Sequence, residues 1–241
     1  MTTLRCYFSF RSPFAAIAIY RLRRLNAFSD VDIELMPVWP EIIFGGHIDN
    51  PTDNLFKMAY IFGDAARQAE MAGLDRSPFD RLAEVFTLPE GIDYTQEKVG
   101  VPTGEEHWER THKAFLYAQD QGKGWSFADA VFIRRFNFDG EGNADVMNPE
   151  IIAEIADKTG LDREAMLAAI DDPEYDQQID TIVDRGNKDG VFGVPFFVIE
   201  SEAGTEKYWG NDRLEYVLMK LRGADSLPPL PKVSMTETCR D

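Results

Sequence analysis

The 241-residue chain is poor in cysteine, in histidine and in positive charge. Its two cysteines, Cys6 and Cys239, stand at opposite ends, which excludes a disulfide framework and a paired-cysteine zinc site. Its histidines, His47, His107 and His112, form no HExxH pattern, and the last two are spaced poorly for one helical face. They are read as surface or packing residues, with His47, beside Gly45-Gly46, able to border a pocket. Lysine and arginine number 25 against 42 aspartates and glutamates, a net charge of −17. Such a chain repels nucleic acid and anionic lipid, so no nucleic-acid and no membrane partner is expected, and the excess acid is read as solvated surface. No run approaches the roughly 18 apolar residues that a membrane span requires. The opening MTTLRCYFSF lacks the basic-then-apolar layout of a secretory signal, so a cytoplasmic location is expected. Apolar side chains are plentiful, 44% of the chain with 12% aromatic, which suffices for a core over one or two domains.

Periodicity places the elements. Leu4, Cys6, Phe8 and Phe10 alternate as on one face of a strand. Ser12-Pro13 then opens a helix carrying Phe14, Ala15, Ile17, Ala18, Ile19, Leu22 and Leu25, with Ser suited to the N-cap and Pro to the first helical position. Val31, Ile33 and Leu35 alternate against Asp30, Asp32 and Glu34 before Pro37 and Pro40, a second strand. The middle is helical: about 52–68, about 105–121 after a Pro- and Gly-containing loop, a helix restarted by Asn148-Pro149-Glu150, then 162–171 and 173–187. Strand character returns in Gly193–Ile199, with Glu206–Trp209 as hairpin partner. Asn211 is expected to cap a last helix through Leu214, Val217, Leu218 and Leu221. The tail from Arg222, with Pro228, Pro229 and Pro231, reads as an extended arm. Asp139, Glu141, Asn143, Asp145 and Glu150 imitate a calcium loop, but Ala144 stands where its glycine is required, so the stretch reads as an acidic turn before the Asn148 cap.

The motifs Phe8-Ser9-Phe10-Arg11-Ser12-Pro13-Phe14, Gly190-Val191-Phe192-Gly193-Val194-Pro195 and Trp209-Gly210-Asn211-Asp212-Arg213-Leu214 follow one another in this order. Between them lie Asn50-Pro51 and Lys57-x-x-Tyr60-x-x-x-Asp64-x-x-Arg67. Together they resemble the 2-hydroxychromene-2-carboxylate isomerase family, close kin of kappa-class glutathione transferases within the DsbA-like thioredoxin superfamily. The resemblance implies an α/β fold, a thioredoxin-like (DsbA-like) sheet with a helical insertion between an N-terminal βαβ and a C-terminal ββα. Residues 1–50 and 186–221 would form the discontinuous thioredoxin-like domain, 51–185 the inserted helical domain and 222–241 the tail.

Where redox relatives open the first helix with Cys-x-x-Cys, this chain has Ser12-Pro13-Phe14-Ala15, which excludes dithiol exchange there. The resemblance implies that the nucleophile is brought in as glutathione. A helix N-terminus favours an anion such as a thiolate, and a serine hydroxyl can donate to it and lower its pKa. Ser12 is thus the implied catalytic residue and also a glutathione contact. Val194, before a Pro195 suited to a cis turn, would pair its backbone with the cysteinyl part. Asn211, Asp212 and Arg213 would hold the γ-glutamyl end, with helix N–H groups on its carboxylate and Asp212 on its ammonium, or Arg213 would instead support these contacts from behind; Pro195, Trp209 and Gly210 are implied glutathione contacts as well. Asn50 and Lys57 are candidates for the glycyl carboxylate or the substrate acid, and Phe14, Trp39, Phe44 and Trp108 for the apolar pocket. By resemblance the reaction is an isomerisation: thiolate addition to a cyclic hemiketal of an aromatic carboxylate, ring opening, bond rotation and elimination. Two other readings stay open, a kappa-like transferase or peroxidase acting on electrophiles and a DsbA-like binding module without chemistry. A homodimer is implied by the resemblance alone.

Overall fold

The alternating opening run becomes one of the two inner strands of a four-stranded sheet. The computed structural model describes residues 2–25, 31–39, 55–87 and 107–222. Strand β1 (Thr2–Phe8) pairs in parallel with β2 (Val31–Pro37) and antiparallel with β3 (Phe196–Ser201), which pairs antiparallel with β4 (Gly204–Trp209). Helix α1 (Pro13–Leu25) joins the two parallel strands, as a parallel connection requires. All four strands come from residues 2–37 and 196–209, while the described residues between them are helical.

Alternation alone suggested one buried face for β1, yet Arg5 and Tyr7 on its other face are buried as fully as Leu4, Cys6 and Phe8. The reason is a second layer. Helix α8 (Pro173–Asp189) ends against that face, where Asp189 accepts from Arg5 Nε at 2.9 Å and Tyr7 Oη at 2.6 Å. Arg5 also donates to Glu200 at 2.6 Å, so its guanidinium has carboxylates on both sides. Burial alone would raise the Asp189 carboxyl, but hydrogen bonds from Tyr7 and Arg5 outweigh it and hold the carboxyl below its ordinary range. On the near face Phe8 meets Phe10 and Phe115 edge-on, at 5.2 and 5.1 Å between centroids, joining the sheet to the helical layer.

The other helices are α2 (Leu55–Met71), α3 (Ser77–Thr87), α4 (Trp108–Asp120), α5 (Gly124–Phe136), α6 (Pro149–Thr159), α7 (Arg163–Ile170) and α9 (Leu214–Arg222). Local chemistry sets several of their ends. Asn148, Asp162 and Asp172 each accept a backbone N–H of the first turn, and Pro149 and Pro173 stand at first helical positions. Gly190 ends α8 at φ 72°, the left-handed conformation in which the chain turns towards β3. Helices α3 and α5 are absent from the sequence reading. The start Ser77-Pro78 carries the same signal as Ser12-Pro13, so α3 was legible. Helix α5 is masked by its opening glycine, which is there for space: a Cβ on Gly124 would meet Gln119 Cγ at 2.6 Å.

Candidate active site

Strand register gathers three chain segments at one end of the sheet. Tyr7 pairs with Phe196 and Phe196 with Trp209, while Phe8 pairs with Pro37. The turn after β1, the loop before β3 and the segment after β4 therefore leave the sheet side by side. Backbone bonds knit them: Val38 N–H donates to Phe8 at 2.8 Å, and Gly210 N–H to Pro195 at 2.9 Å.

Ser12 is the N-cap expected of it. Its Oγ accepts from Ala15 N–H at 3.2 Å, its carbonyl accepts from Ala16 N–H at 3.2 Å, and its own N–H donates to Ser9 at 3.0 Å. The cap uses the hydroxyl only as an acceptor. Its proton can be donated outward from a half-buried position at the positive end of α1. Cys6, by contrast, lies fully buried on β1 with its thiol pushed up by burial, so it supplies no thiolate. Cys239 lies outside the described residues.

His112 on α4 supports this turn from beneath, a role the sequence did not signal. Its Nδ1 lies 2.6 Å from the carbonyl of Trp108, which makes Nδ1 the donor, and Nε2 accepts from Phe10 N–H at 3.4 Å. The ring packs 5.2 Å from Phe10 and 5.1 Å from Trp39. Burial pushes the imidazole down to about 4, against the Trp108 and Val38 carbonyls, which favour its charged form. It is a neutral strut near pH 7.

The Val194–Pro195 bond is cis, with Pro195 buried and Val194 half-buried. Gly193 is required by close approach, since the indole of Trp209 occupies the space of a Cβ, its Cε2 only 2.9 Å away. Trp209 and Phe192 are half exposed, at 54% and 57%, with centroids 5.0 Å apart. They form an aromatic flank beside the loop.

After β4 the structure corrects one expectation. Asn211 does not cap a helix. A 3-10 turn, Asn211–Arg213, precedes α9; Gly210 is its N-terminal cap residue and no side chain caps it. Asn211 is buried because its side chain has partners inside: its Nδ2 donates to Gln68 Oε1 at 2.8 Å, and Arg21 donates to its Oδ1 and carbonyl at 3.5 and 3.4 Å. Gly210 takes φ 101°, and Asp212 Oδ1 folds over the space a side chain would need. Asp212 and Arg213 point outward as a pair at 3.1 Å, each about half exposed.

The remaining candidates divide. Asn50 and Phe44 lie outside the described residues. Lys57 is exposed on α2, about 16 Å along the helix axis from Gln68 at 1.5 Å per residue. The structure therefore does not bring Lys57 to the Asn211 end. Asp64 of the α2 motif accepts from Arg67 at 2.9 Å and from Gln68 at 2.7 Å. Phe14 and Trp39 are half-buried at the sheet end, while Trp108 belongs to the core. In the acidic turn, Asp139 and Asp145 accept backbone N–H groups, and Glu141 and Glu150 pair with Lys158 and Arg163. Among the described residues no group of side chains is arranged to hold a metal, and no helix is long and apolar enough to cross a membrane.

A βαβ unit, then a strand hairpin and helix, with a helix start and a cis-proline loop at one end of the sheet, define a thioredoxin-like protein. The chain belongs to the DSBA-like thioredoxin domain family, whose model matches residues 3–222. Over 92 residues it is 29% identical to human (Homo sapiens) glutathione S-transferase kappa 1, a match spanning 37% of this chain and 40% of that protein's length. The structure of a 2-hydroxychromene-2-carboxylate isomerase superimposes with a TM-score of 0.61 at 22% identity, covering 92% of this chain and 94% of the other. The cytosolic disulfide reductase DsbM from Pseudomonas aeruginosa, solved with GSH, gives 0.59 at 16% identity over 91% and 99%. At these identities the structural likeness is one of fold.

Proposed function

We propose that the protein is a glutathione-dependent isomerase of the 2-hydroxychromene-2-carboxylate type, acting on an aromatic carboxylate. The observation that carries this reading is the capping serine at the α1 start, in a thioredoxin-like frame without a reactive cysteine at that position. The donor set suits a zwitterionic thiol peptide. The Ser12 hydroxyl and the α1 N-terminus suit a thiolate, the Val194 backbone suits an extended peptide, and the Asp212–Arg213 pair suits an ammonium and a carboxylate. Bound glutathione would supply a thiolate nucleophile that is returned at the end of the cycle.

The chain's own part is positional and electrostatic. Ser12, polarised by the N–H it accepts, donates to the sulfur and favours its anion at neutral pH. Helix α1 adds its positive end. His112 fixes the turn by holding Phe10 N–H, and Phe14, Trp39 and the Phe192–Trp209 flank offer aromatic surface to a planar substrate. Lys57 remains the candidate cation for a carboxylate at the far end of α2.

Calorimetric titration with glutathione of the wild type, Ser12→Ala and Asp212→Ala tests the reading. Saturable binding, weakened by Asp212→Ala, supports it; no binding at millimolar glutathione overturns it and leaves a binding module. The kappa-like transferase is the second reading, favoured by the 29% identity to glutathione S-transferase kappa 1. Product analysis separates the two, because an isomerase regenerates glutathione and a transferase consumes it.

A further inference from the structure

Four polar side chains from α1, α2 and the 3-10 turn form one directed chain of hydrogen bonds. Arg21 donates to Asn211 Oδ1 at 3.5 Å, Asn211 Nδ2 donates to Gln68 Oε1 at 2.8 Å, and Gln68 Nε2 donates to Asp64 Oδ2 at 2.7 Å. Each amide is used at both ends, so each amide orientation is fixed by its neighbours. Arg21 donates as well to the Asn211 carbonyl at 3.4 Å and to Glu215 on α9. Arg21 and Asn211 are more than nine-tenths buried.

The consequence falls on the next residue. Asn211 is pinned through both its carbonyl and its side chain, and the Gly210 N–H is pinned to Pro195. Asp212 therefore leaves a turn whose first residue cannot rotate, and its carboxylate folds back over Gly210. Asp212 itself is exposed and, among the described residues, paired with Arg213 beside it in the chain, so its direction depends on the backbone behind it.

We propose that Gln68 and Arg21 are positioning residues for recognition of an α-amino-acid head group, the γ-glutamyl end of the thiol peptide, acting through Asn211 on Asp212. This rests on the glutathione reading and deepens it. The helical layer, through Gln68 and Asp64 on α2, sets the selectivity of a site whose contacting residues lie on the sheet side. The Asp64–Gln68 spacing of four, one helical turn, places both side chains on one face of α2, which is what lets a single helix supply the anchor.

The test compares glutathione with cysteinylglycine, which lacks the γ-glutamyl group, by calorimetry in the wild type, Gln68→Leu and Arg21→Lys. The wild type is expected to prefer glutathione. Gln68→Leu is expected to reduce that preference about tenfold, the size of one lost charge-assisted or well-ordered hydrogen bond, while cysteinylglycine affinity stays within about twofold. Arg21→Lys, which keeps a charged donor, is expected to retain most of the preference. An unchanged preference in Gln68→Leu, or an equal loss for both peptides, overturns the inference while leaving the glutathione reading standing. A wild type that binds both peptides equally also overturns it, and one that binds neither removes the glutathione reading with it.

Discussion

The two charged regions of the sheet differ in how completely their groups are used. On the α8 face, Arg5, Tyr7, Asp189 and Glu200 sit in direct contact, and Arg5 and Asp189 are nearly sealed from solvent. At the open end, among the described residues, Ser12 uses its hydroxyl as an acceptor and Asp212 is half exposed and paired with Arg213. Buried charges must satisfy one another, because an unpaired one costs several kcal/mol. Groups facing water carry no such obligation and keep capacity for a ligand. The first region has the build of a stabilising cluster, and the second keeps the open capacity that the proposed glutathione site requires.

Four experiments break or sharpen that contrast, from the largest expected effect to the smallest. Asp189→Leu leaves Arg5 and Tyr7 buried without their main acceptor and is expected to cost about 3–5 kcal/mol in urea unfolding. The wild type should also lose stability as pH falls through and below the ordinary carboxylate range, since a carboxyl held below that range stabilises the fold above it and stops doing so once protonated.

His112 gives the second effect. Its imidazole titrates near 4 in the fold and near 6.5 when unfolded, so between these values the unfolded chain binds more protons and stability rises with pH. The contribution is complete above 6.5 and lost progressively towards 4, a total of the order of 3 kcal/mol at 1.36 kcal/mol per unit. His112→Gln keeps a donor and an acceptor without the charge. Urea midpoints measured from pH 7 to 4 should show a flatter slope for this variant.

Ser12→Ala is expected to lower turnover about 10²-fold, the effect of losing one preorganised donor, and to cost about 1 kcal/mol of stability as a lost cap. Steady-state kinetics and urea unfolding read the two separately. Wild-type turnover would remove Ser12 from the chemistry. Asp212→Ala is expected to change stability by less than about 0.5 kcal/mol yet weaken glutathione binding about tenfold. A large stability loss there would place Asp212 with the buried cluster and dissolve the contrast.

Much of the fold could be read along the chain. The Ser12-Pro13 start, the Asn148-Pro149 cap, the alternation of Val31, Ile33 and Leu35, and the β3–β4 hairpin all rest on chemistry within a few residues, and all are present. The motifs around Ser12, Pro195 and Asp212 could also be picked out, and the register brings them to one end of the sheet. What could not be read concerns partners distant in sequence. Asn211 has the residue type of an N-cap, but Gln68, 143 positions away, takes its amide instead. His112 has no motif around it, and its role exists only because Phe10 passes above it. Arg5 sits on an alternating strand with no acidic residue near it in sequence, and its partner Asp189 comes from the end of α8, 184 positions away.

The sequence by itself determined most of the elements, their order, and the absence of a cysteine at the helix start, because caps, turns and periodicity are local interactions. Only the tertiary structure decided which polar groups are used up and which keep unused capacity at the surface. That distinction depends on burial and on partners between 100 and 200 residues apart, such as Phe10 with His112 and Arg5 with Asp189, and a linear pattern carries no record of either.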